Sequence, residues 1–198
     1  MEQLTNEQAL EVIKDMIEKT KERQCYTGFY HLLWGILISL AIVAMYVFIK
    51  TQLYHLIGYS WAFFSIVGVI ASIIYSKKIY EKQGNIQYPD LGINAMWAGL
   101  MIALLLAAFI FPILKAYEWN IVFVMVSLLM GAANFSTGIF LKQKMPIMNA
   151  ILWWIGCIIL LILKNYFAIM GVFVILLIVN NIIPGIYLYN LARKNNGK

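Results

Sequence analysis

Charged residues are scarce in this sequence. Asp, Glu, Lys and Arg make up only 12% of its 198 residues, about half the fraction of typical soluble domains, while 63% are hydrophobic. A chain needs polar surface to dissolve as a globular domain, so this composition excludes the water-soluble class. The net charge of +6 does not predict binding to nucleic acid, because the basic residues follow the membrane topology described below.

Asp, Glu, Lys and Arg are missing altogether from six long apolar windows of the sequence. Proton-coupled transporters, pumps and voltage sensors generally need ionisable groups within the membrane, so this absence argues against those classes. Catalysis would need a nucleophile with a base, a carboxylate pair or a metal site. The two histidines, His31 and His55, are predicted to lie at opposite faces of the membrane, too far apart to form such a site. We therefore expect no enzymatic activity, no cofactor and no metal.

Cysteine is nearly absent as well. Cys25 precedes the first apolar window and Cys157 lies in the middle of a later one, so their sulfur atoms differ in depth and we expect no disulfide. Their spacing does not match a zinc site. The sequence also has no apolar run before residue 27. This argues against a cleavable signal peptide and favours the first window as an uncleaved insertion signal.

The hydrophobic residues that are present form six windows, each close to the length that crosses a bilayer. A helix needs ~20 apolar residues to cross ~30 Å of hydrocarbon, and such segments must be helical because lipid offers no partner to a free backbone group. The sequence predicts an all-α membrane protein, with a cytoplasmic arm at 1–27, six transmembrane helices within 28–191 and a tail at 192–198. The predicted spans 1 to 6 are Gly28–Ile49, Ile57–Ser76, Ile93–Leu114, Ile121–Leu141, Ile147–Leu163 and Phe167–Leu188.

Lysine and arginine are distributed unevenly between the connections. Twelve of the 15 lie before span 1, after span 2, after span 4 or after span 6, whereas only Lys50, Lys115 and Lys164 lie in the other connections. By the positive-inside rule, both termini are predicted to be cytoplasmic. The connections on the other side are short turns, too small to form a receptor domain.

The segment before span 1 predicts an amphipathic helix over residues 5–24. Leu10, Ile13 and Ile17 fall on one side of this helix. The segment carries six acidic and four basic side chains, a poor match to the basic helices that bind anionic lipid. Two interpretations stay open. The helix covers the cytoplasmic mouth of the bundle, or it docks a cytoplasmic protein partner or a second copy of the chain.

The odd-numbered spans resemble one another, because each begins with a polar residue followed by Trp and Gly. Trp34 and Trp97 are 63 residues apart, as are Gly68 and Gly131, which favours three tandem two-helix hairpins. Tryptophan enrichment at membrane interfaces produces a similar pattern, so this interpretation has an alternative.

Span 3 carries a stripe of small residues at four-residue intervals. Such a stripe lets the backbone of another helix come close, which is how membrane helices associate without a hydrophobic driving force. We expect a helix–helix contact along it. The stripe comprises Ala95, Gly99, Ala103 and Ala107.

Neutral polar residues concentrate in the cytoplasmic half of the predicted spans. Pro184 has no N–H to offer the carbonyl of Asn180, so it frees a backbone acceptor that protein, water or a ligand must satisfy. The residues around it predict a ligand-binding recess. The alternative is that the tryptophans are interfacial anchors and the asparagines form interhelical hydrogen bonds. The candidate recess comprises His31, Trp34, Asn94, Trp97, Asn134, Asn180, Asn181 and Pro184.

Three short motifs carry a resemblance to known proteins. The run FYHLLWGILI, the preceding IKDMIEKTKE and the late IIPG are similar to those of a group of uncharacterised bacterial inner-membrane proteins of about 200 residues. The resemblance implies a multi-span protein of the bacterial inner, or cytoplasmic, membrane. It transfers no site residues and no activity.

These observations leave two hypotheses for function. The first is a non-enzymatic scaffold, adaptor or regulator that acts through its cytoplasmic face and has membrane lipid around it. The second is a small-solute transporter or facilitator that uses the neutral recess. An enzyme acting on lipid ranks well below both, because no catalytic group is found in the windows.

The predicted topology can be tested with an impermeant thiol reagent in intact cells. We expect a cysteine introduced at Gln52 to react and native Cys25 to stay unlabelled, because the first lies in an outer turn and the second in the cytoplasmic arm. Labelling of Cys25 with no reaction at position 52 would mean that the topology is inverted.

Overall fold

Helix is the only regular structure in the part of the chain that the computed structural model describes, namely Gln8 and residues 10–16, 27–83 and 88–196. Six helices within these ranges are long and apolar enough to cross a membrane. The prediction of an all-α membrane protein with six spans is therefore confirmed. Outside the description lie most of the predicted arm (1–7, 9 and 17–26, which include Cys25), the turn at 84–87, residues 197 and 198, and the side chains of 79–90, 192 and 194–196.

The spans begin and end close to the predicted windows. Two of them are interrupted by a π-helical turn of five residues, in which the backbone hydrogen bonds reach one residue further than in an α-helix. The helices of spans 1, 2, 4 and 5 are Gly28–Lys50, His55–Gln83, Trp119–Leu141 and Lys144–Ile162. Span 3 consists of Tyr88–Leu105, the π turn Leu106–Ile110 and Phe111–Ile113, and span 6 of Tyr166–Leu177, the π turn Ile178–Ile182 and Ile183–Asn196.

Three spans end in the same backbone motif, in which the last carbonyls of the helix accept hydrogen bonds although the residue in the left-handed region is not glycine. Gln52, Lys115 and Lys142 have φ of 60°, 59° and 51°, in the left-handed region; Gln52 and Lys115 follow the cap residues Thr51 and Leu114, and Lys142 is itself the cap of span 4. After span 1, the N–H of Leu53 donates to the Phe48 carbonyl at 2.8 Å, and spans 3 and 4 repeat this bond. This is the Schellman pattern, which satisfies carbonyls that would otherwise be left free where the chain turns back into the membrane.

Spans 1, 4, 5 and 6 form the core of the bundle. Spans 4 and 5 make the most extensive contact, span 1 packs along span 6, and span 6 packs against spans 4 and 5. Spans 2 and 3 are peripheral, because only 6% and 17% of their apolar windows are buried, against 44% in span 4. The buried hydrophobic cluster accordingly draws on the other four spans: Ile42, Met45, Phe123, Val124, Trp153, Leu160, Ile169, Met170, Phe173 and Leu177.

Two glycines let span 1 approach the last part of span 6. A Cβ at Gly28 would lie 2.5 Å from the backbone N of Tyr189, and one at Gly185 would lie 2.8 Å from the backbone N of Leu32. Backbone atoms cannot move aside as a flexible side chain can, so both positions require glycine for this packing. The contact fixes the beginning of span 1 against span 6.

The small-residue stripe of span 3 is only partly covered, which corrects the expectation of a helix–helix contact along it. Nothing in the described chain lies within 4 Å of a Cβ placed at Gly99, and Ala95 is exposed, whereas Ala107 is buried. Span 3 instead contacts span 4 through both its first helical part and its π turn, and the buried residues Ile93 and Leu100 of the first part lie off the stripe.

Substituting Gly185 tests the close approach of spans 1 and 6. We expect Gly185→Ala to lower the free energy of unfolding by about 1–3 kcal/mol, because the new methyl group overlaps the backbone of span 1. Gly171→Ala is the matched control in the same span, since nothing lies within 4 Å of a Cβ there. Unfolding by sodium dodecyl sulfate in mixed micelles measures both. Equal stability of the two variants would contradict this packing.

Candidate functional site

Both interrupted spans contain a proline two residues after their π turn. Pro112 follows Leu106–Ile110, and Pro184 follows Ile178–Ile182. Since proline has no N–H and its ring clashes with the preceding turn, the regular α-helical ladder cannot pass through it. The chain responds with a wider turn, in which the N–H of Ile183 donates to the carbonyl of Ile178, five residues back.

A side chain satisfies a freed carbonyl beside each proline. The carbonyl of Asn180, four residues before Pro184, accepts a hydrogen bond from Nδ2 of Asn149 in span 5 at 3.3 Å. The carbonyl of Ala107, five residues before Pro112, accepts one from the Tyr117 hydroxyl. Burial raises the pKa of Tyr117 above its ordinary value of 10.0, so this hydroxyl remains a donor at neutral pH. The freed acceptor predicted from Pro184 therefore has a protein partner.

The polar groups near Pro184 form a seam between spans 1, 5 and 6, which we call the carboxamide seam (His31, Asn149, Asn180 and Asn181). A hydrogen bond of 3.4 Å joins His31 Nδ1 to Asn181 Oδ1. Asn180 donates through Nδ2 to the Leu176 carbonyl at 3.1 Å, while its Oδ1 is buried and has no partner among the described residues. With Asn180 and Asn181 only 1% and 6% exposed, the seam joins helices in the interior of the bundle.

A separate open cleft lies between spans 1, 2 and 3. Its volume is about 950 Å³. It lies toward the basic end of the bundle, which we define as the end that holds Lys77, Lys78, Lys142, Lys144 and Arg193. Most of the lining is apolar, and its polar groups come from span 1 and from one face of span 2. The cleft is lined by Tyr30, Trp34, Val69, Ser72, Ile73, Ser76, Lys77, Ala98 and Met101.

Contacts at both ends of span 2 hold the wall of the cleft against span 1. Near the basic end, the ring of Tyr75 stacks on Phe29 with centroids 3.9 Å apart and meets Tyr30 edge-on at 5.4 Å. Toward the other end, Trp61 Nε1 donates to the sulfur of Met45 at 3.4 Å. The cleft is therefore a preformed feature of the packing between these spans.

The residues of the candidate recess occupy different places. His31, Asn180 and Asn181 belong to the carboxamide seam, and buried Pro184 lies two residues after the π turn of span 6. Trp34 lines the cleft, where its ring lies about 3 Å from where a Cβ at Gly68 would be. Asn94 is exposed and Trp97 is half-buried. Asn134 is buried, and its Nδ2 donates to the Met130 carbonyl of its own helix at 2.8 Å.

Sequence reasoning missed two parts of this arrangement. Asn149, which lies near the beginning of span 5 as Asn94 does in span 3, is not among the residues predicted for the recess, although it is the donor to the freed carbonyl. Ser72, Ser76 and Lys77 were not recognised as the wall of a cleft. The four-residue spacing of the two serines, which puts them on one helical face, was the available signal.

No family model, curated protein or solved structure matches this chain. The interpretation of function therefore depends on the residues and contacts themselves. A ligand-binding role for the candidate recess stays a prediction.

A double-mutant cycle tests whether Asn149 serves the carbonyl freed by Pro184. We expect Asn149→Leu to cost about 1–3 kcal/mol of unfolding free energy, because it leaves a buried carbonyl without a donor. In a Pro184→Ala background the restored N–H can serve that carbonyl, so the same change should cost less. Asn94→Leu, at an exposed position, is the control. Equal costs of Asn149→Leu in the two backgrounds would refute the pairing.

Proposed function

We propose that this integral membrane protein is a non-enzymatic scaffold, adaptor or regulator that binds a protein partner through its N-terminal arm. The observation that carries the proposal is the exposure of apolar side chains on the described part of the arm, residues 10–16. Leu10, Val12 and Ile13 are 70%, 44% and 54% exposed. These side chains are not covered by the described bundle, which favours docking over the interpretation that the arm closes the cytoplasmic mouth.

The charge of the arm favours a protein as its partner rather than a lipid surface. Its six acidic and four basic side chains would be repelled on balance by anionic headgroups, whereas membrane-surface helices are typically rich in lysine. A short helix is also marginal in water unless its apolar side packs against something. A partner that supplies an apolar groove would both order the helix and bury these residues.

The proposal places the arm in the cytoplasm, following the distribution of lysine and arginine between the connections. The turns at the other end, such as 51–54 and 163–165, are only a few residues long. They offer little surface for recognition, so the arm and the basic end are the better candidates for binding. The proposal involves no catalytic step, since the predicted spans lack carboxylates and amines.

A small-solute transporter is the second candidate, and one observation favours it. The π turn at Ile178–Ile182 interrupts span 6, and the buried Oδ1 of Asn180 next to Pro184 has no partner in the described chain. Interrupted spans of this kind often form substrate sites in transporters. The other polar groups of the seam bond to one another or to backbone, which makes this candidate the weaker of the two.

Substitution of the exposed apolar residues tests the proposed function. We expect the double substitution Leu10→Gln with Ile13→Gln to reduce recovery of cross-linked partners from native membranes at least about tenfold, because two buried apolar contacts are lost. Glu11→Gln with Lys14→Gln is the matched control, since it alters the same segment without changing its net charge or its apolar side. Quantitative mass spectrometry of the captured proteins is the measurement.

Two outcomes would contradict the proposal. One is unchanged partner recovery after deletion of residues 1–24. The other is solute flux into proteoliposomes that is abolished by Asn180→Leu, which would favour the transporter instead. If the only captured partner is a differently tagged copy of the same chain, the arm is an oligomerisation element and not an adaptor.

A further inference from the structure

We propose that the cleft between spans 1, 2 and 3 binds one anionic phospholipid of the surrounding bilayer. The phosphate would lie at Lys77 and Ser76, and an acyl chain would lie along the apolar walls toward Met101. This site is distinct from the arm and from the carboxamide seam, so the proposal stands apart from the proposed function.

The shape and position of the cleft favour a lipid. Its volume of about 950 Å³ lies at the upper end of the range for ligand pockets. It is bounded by the two peripheral spans of a membrane protein, so its open side faces the bilayer. A mostly apolar cleft at this depth offers water few partners. The acyl chains of the surrounding lipids are the groups available to fill the cleft.

The charged and hydroxyl-bearing lining residues of span 2, namely Ser72, Ser76 and Lys77, lie on one face of that helix and favour an anionic headgroup. Lys77 supplies a positive charge at the basic end, and the described side chains that line the cleft with it include no Asp or Glu. Ser76 lies beside it, and one turn deeper the buried hydroxyl of Ser72 has no hydrogen-bond partner among the described residues. Basic pockets between membrane helices bind anionic lipid headgroups in this way.

The distribution of polarity argues against a helix of another protein as the occupant. The cleft combines a cation and hydroxyl groups at the basic end with an apolar surface beyond them, which matches the two parts of an amphiphile. A transmembrane helix there would place an apolar surface against Ser76 and Lys77 and give them no donor or acceptor.

Native mass spectrometry of the full-length protein tests the assignment. The protein is taken from mixed micelles that contain equal amounts of phosphatidylglycerol and phosphatidylcholine with the same acyl chains, and the retained lipids are counted and identified by mass. We expect the wild-type protein to retain one phosphatidylglycerol in preference to phosphatidylcholine. Lys77→Gln should lower that retention about fivefold, the effect of one basic residue near an anionic surface.

Two matched pairs of variants make the test specific. Lys78→Gln removes the same charge one residue further on, outside the lining, and should retain phosphatidylglycerol as the wild type does. Ala98→Leu places a larger side chain in the cleft and should lower retention of both lipids, whereas Ala95→Leu, at an exposed position of the same span, should not. Circular dichroism and the unfolding midpoint establish that each variant is folded.

Four results would overturn the proposal. The first three are equal retention of the two lipids by the wild type, equal losses in Lys77→Gln and Lys78→Gln, and full retention in Ala98→Leu. A wild-type dimer that holds no lipid and dissociates on Ala98→Leu would also overturn it, and would assign the cleft to a second copy.

Discussion

Every backbone N–H and C=O within a lipid bilayer must find its partner inside the protein, and the structure of this chain depends on that constraint. It explains why the described regular structure is helix alone, and why spans 1, 3 and 4 end in Schellman motifs at residues other than glycine. It also explains the two π turns. Proline interrupts spans 3 and 6, the helix widens before it, and a side chain donates to a freed carbonyl. The polar residues of the interior are thus first of all partners for the backbone.

The division between core and peripheral spans follows from how closely the helices can approach. Glycine at Gly28 and Gly185 brings spans 1 and 6 together, and Gly131 accommodates the indole ring of Trp154, so spans 4 and 5 also lie close. Span 2 has no comparable contact except Gly68 against Trp34, and span 3 exposes Gly99. Dispersion contacts drive helix association in lipid, so the spans with fewer close approaches remain at the edge of the bundle. The cleft is the space that this unequal packing leaves.

Much of the fold could be predicted from the sequence, because the length of an apolar run and the position of a proline are properties of the chain alone. The six windows, the short span 5 and the acceptor freed by Pro184 are examples.

The neighbours of each span could not be predicted in this way. These helices are apolar on all sides, so their sequence gives the depth of a residue but not the direction it faces. Asn149 and Asn94 have the same predicted depth at the cytoplasmic end, yet one is buried against span 6 and the other is exposed. The prediction of a helix–helix contact at Gly99 was wrong for the same reason.

Span 1 connects the features proposed to bind. Its first turns supply Gly28 to the contact with span 6, His31 to the carboxamide seam, and Tyr30 and Trp34 to the cleft, and the arm precedes it directly.

The contact with span 6 fixes span 1, so an occupant of the cleft can stabilise span 2 much more than span 1. A ligand couples to a second site only through a difference in its affinity for two arrangements of the protein. Span 2 packs mainly on span 1, and only 6% of its apolar window is buried, less than in any other described span. Any coupling between lipid in the cleft and a partner at the basic end would therefore pass through span 2, and not through the core of spans 1, 4, 5 and 6.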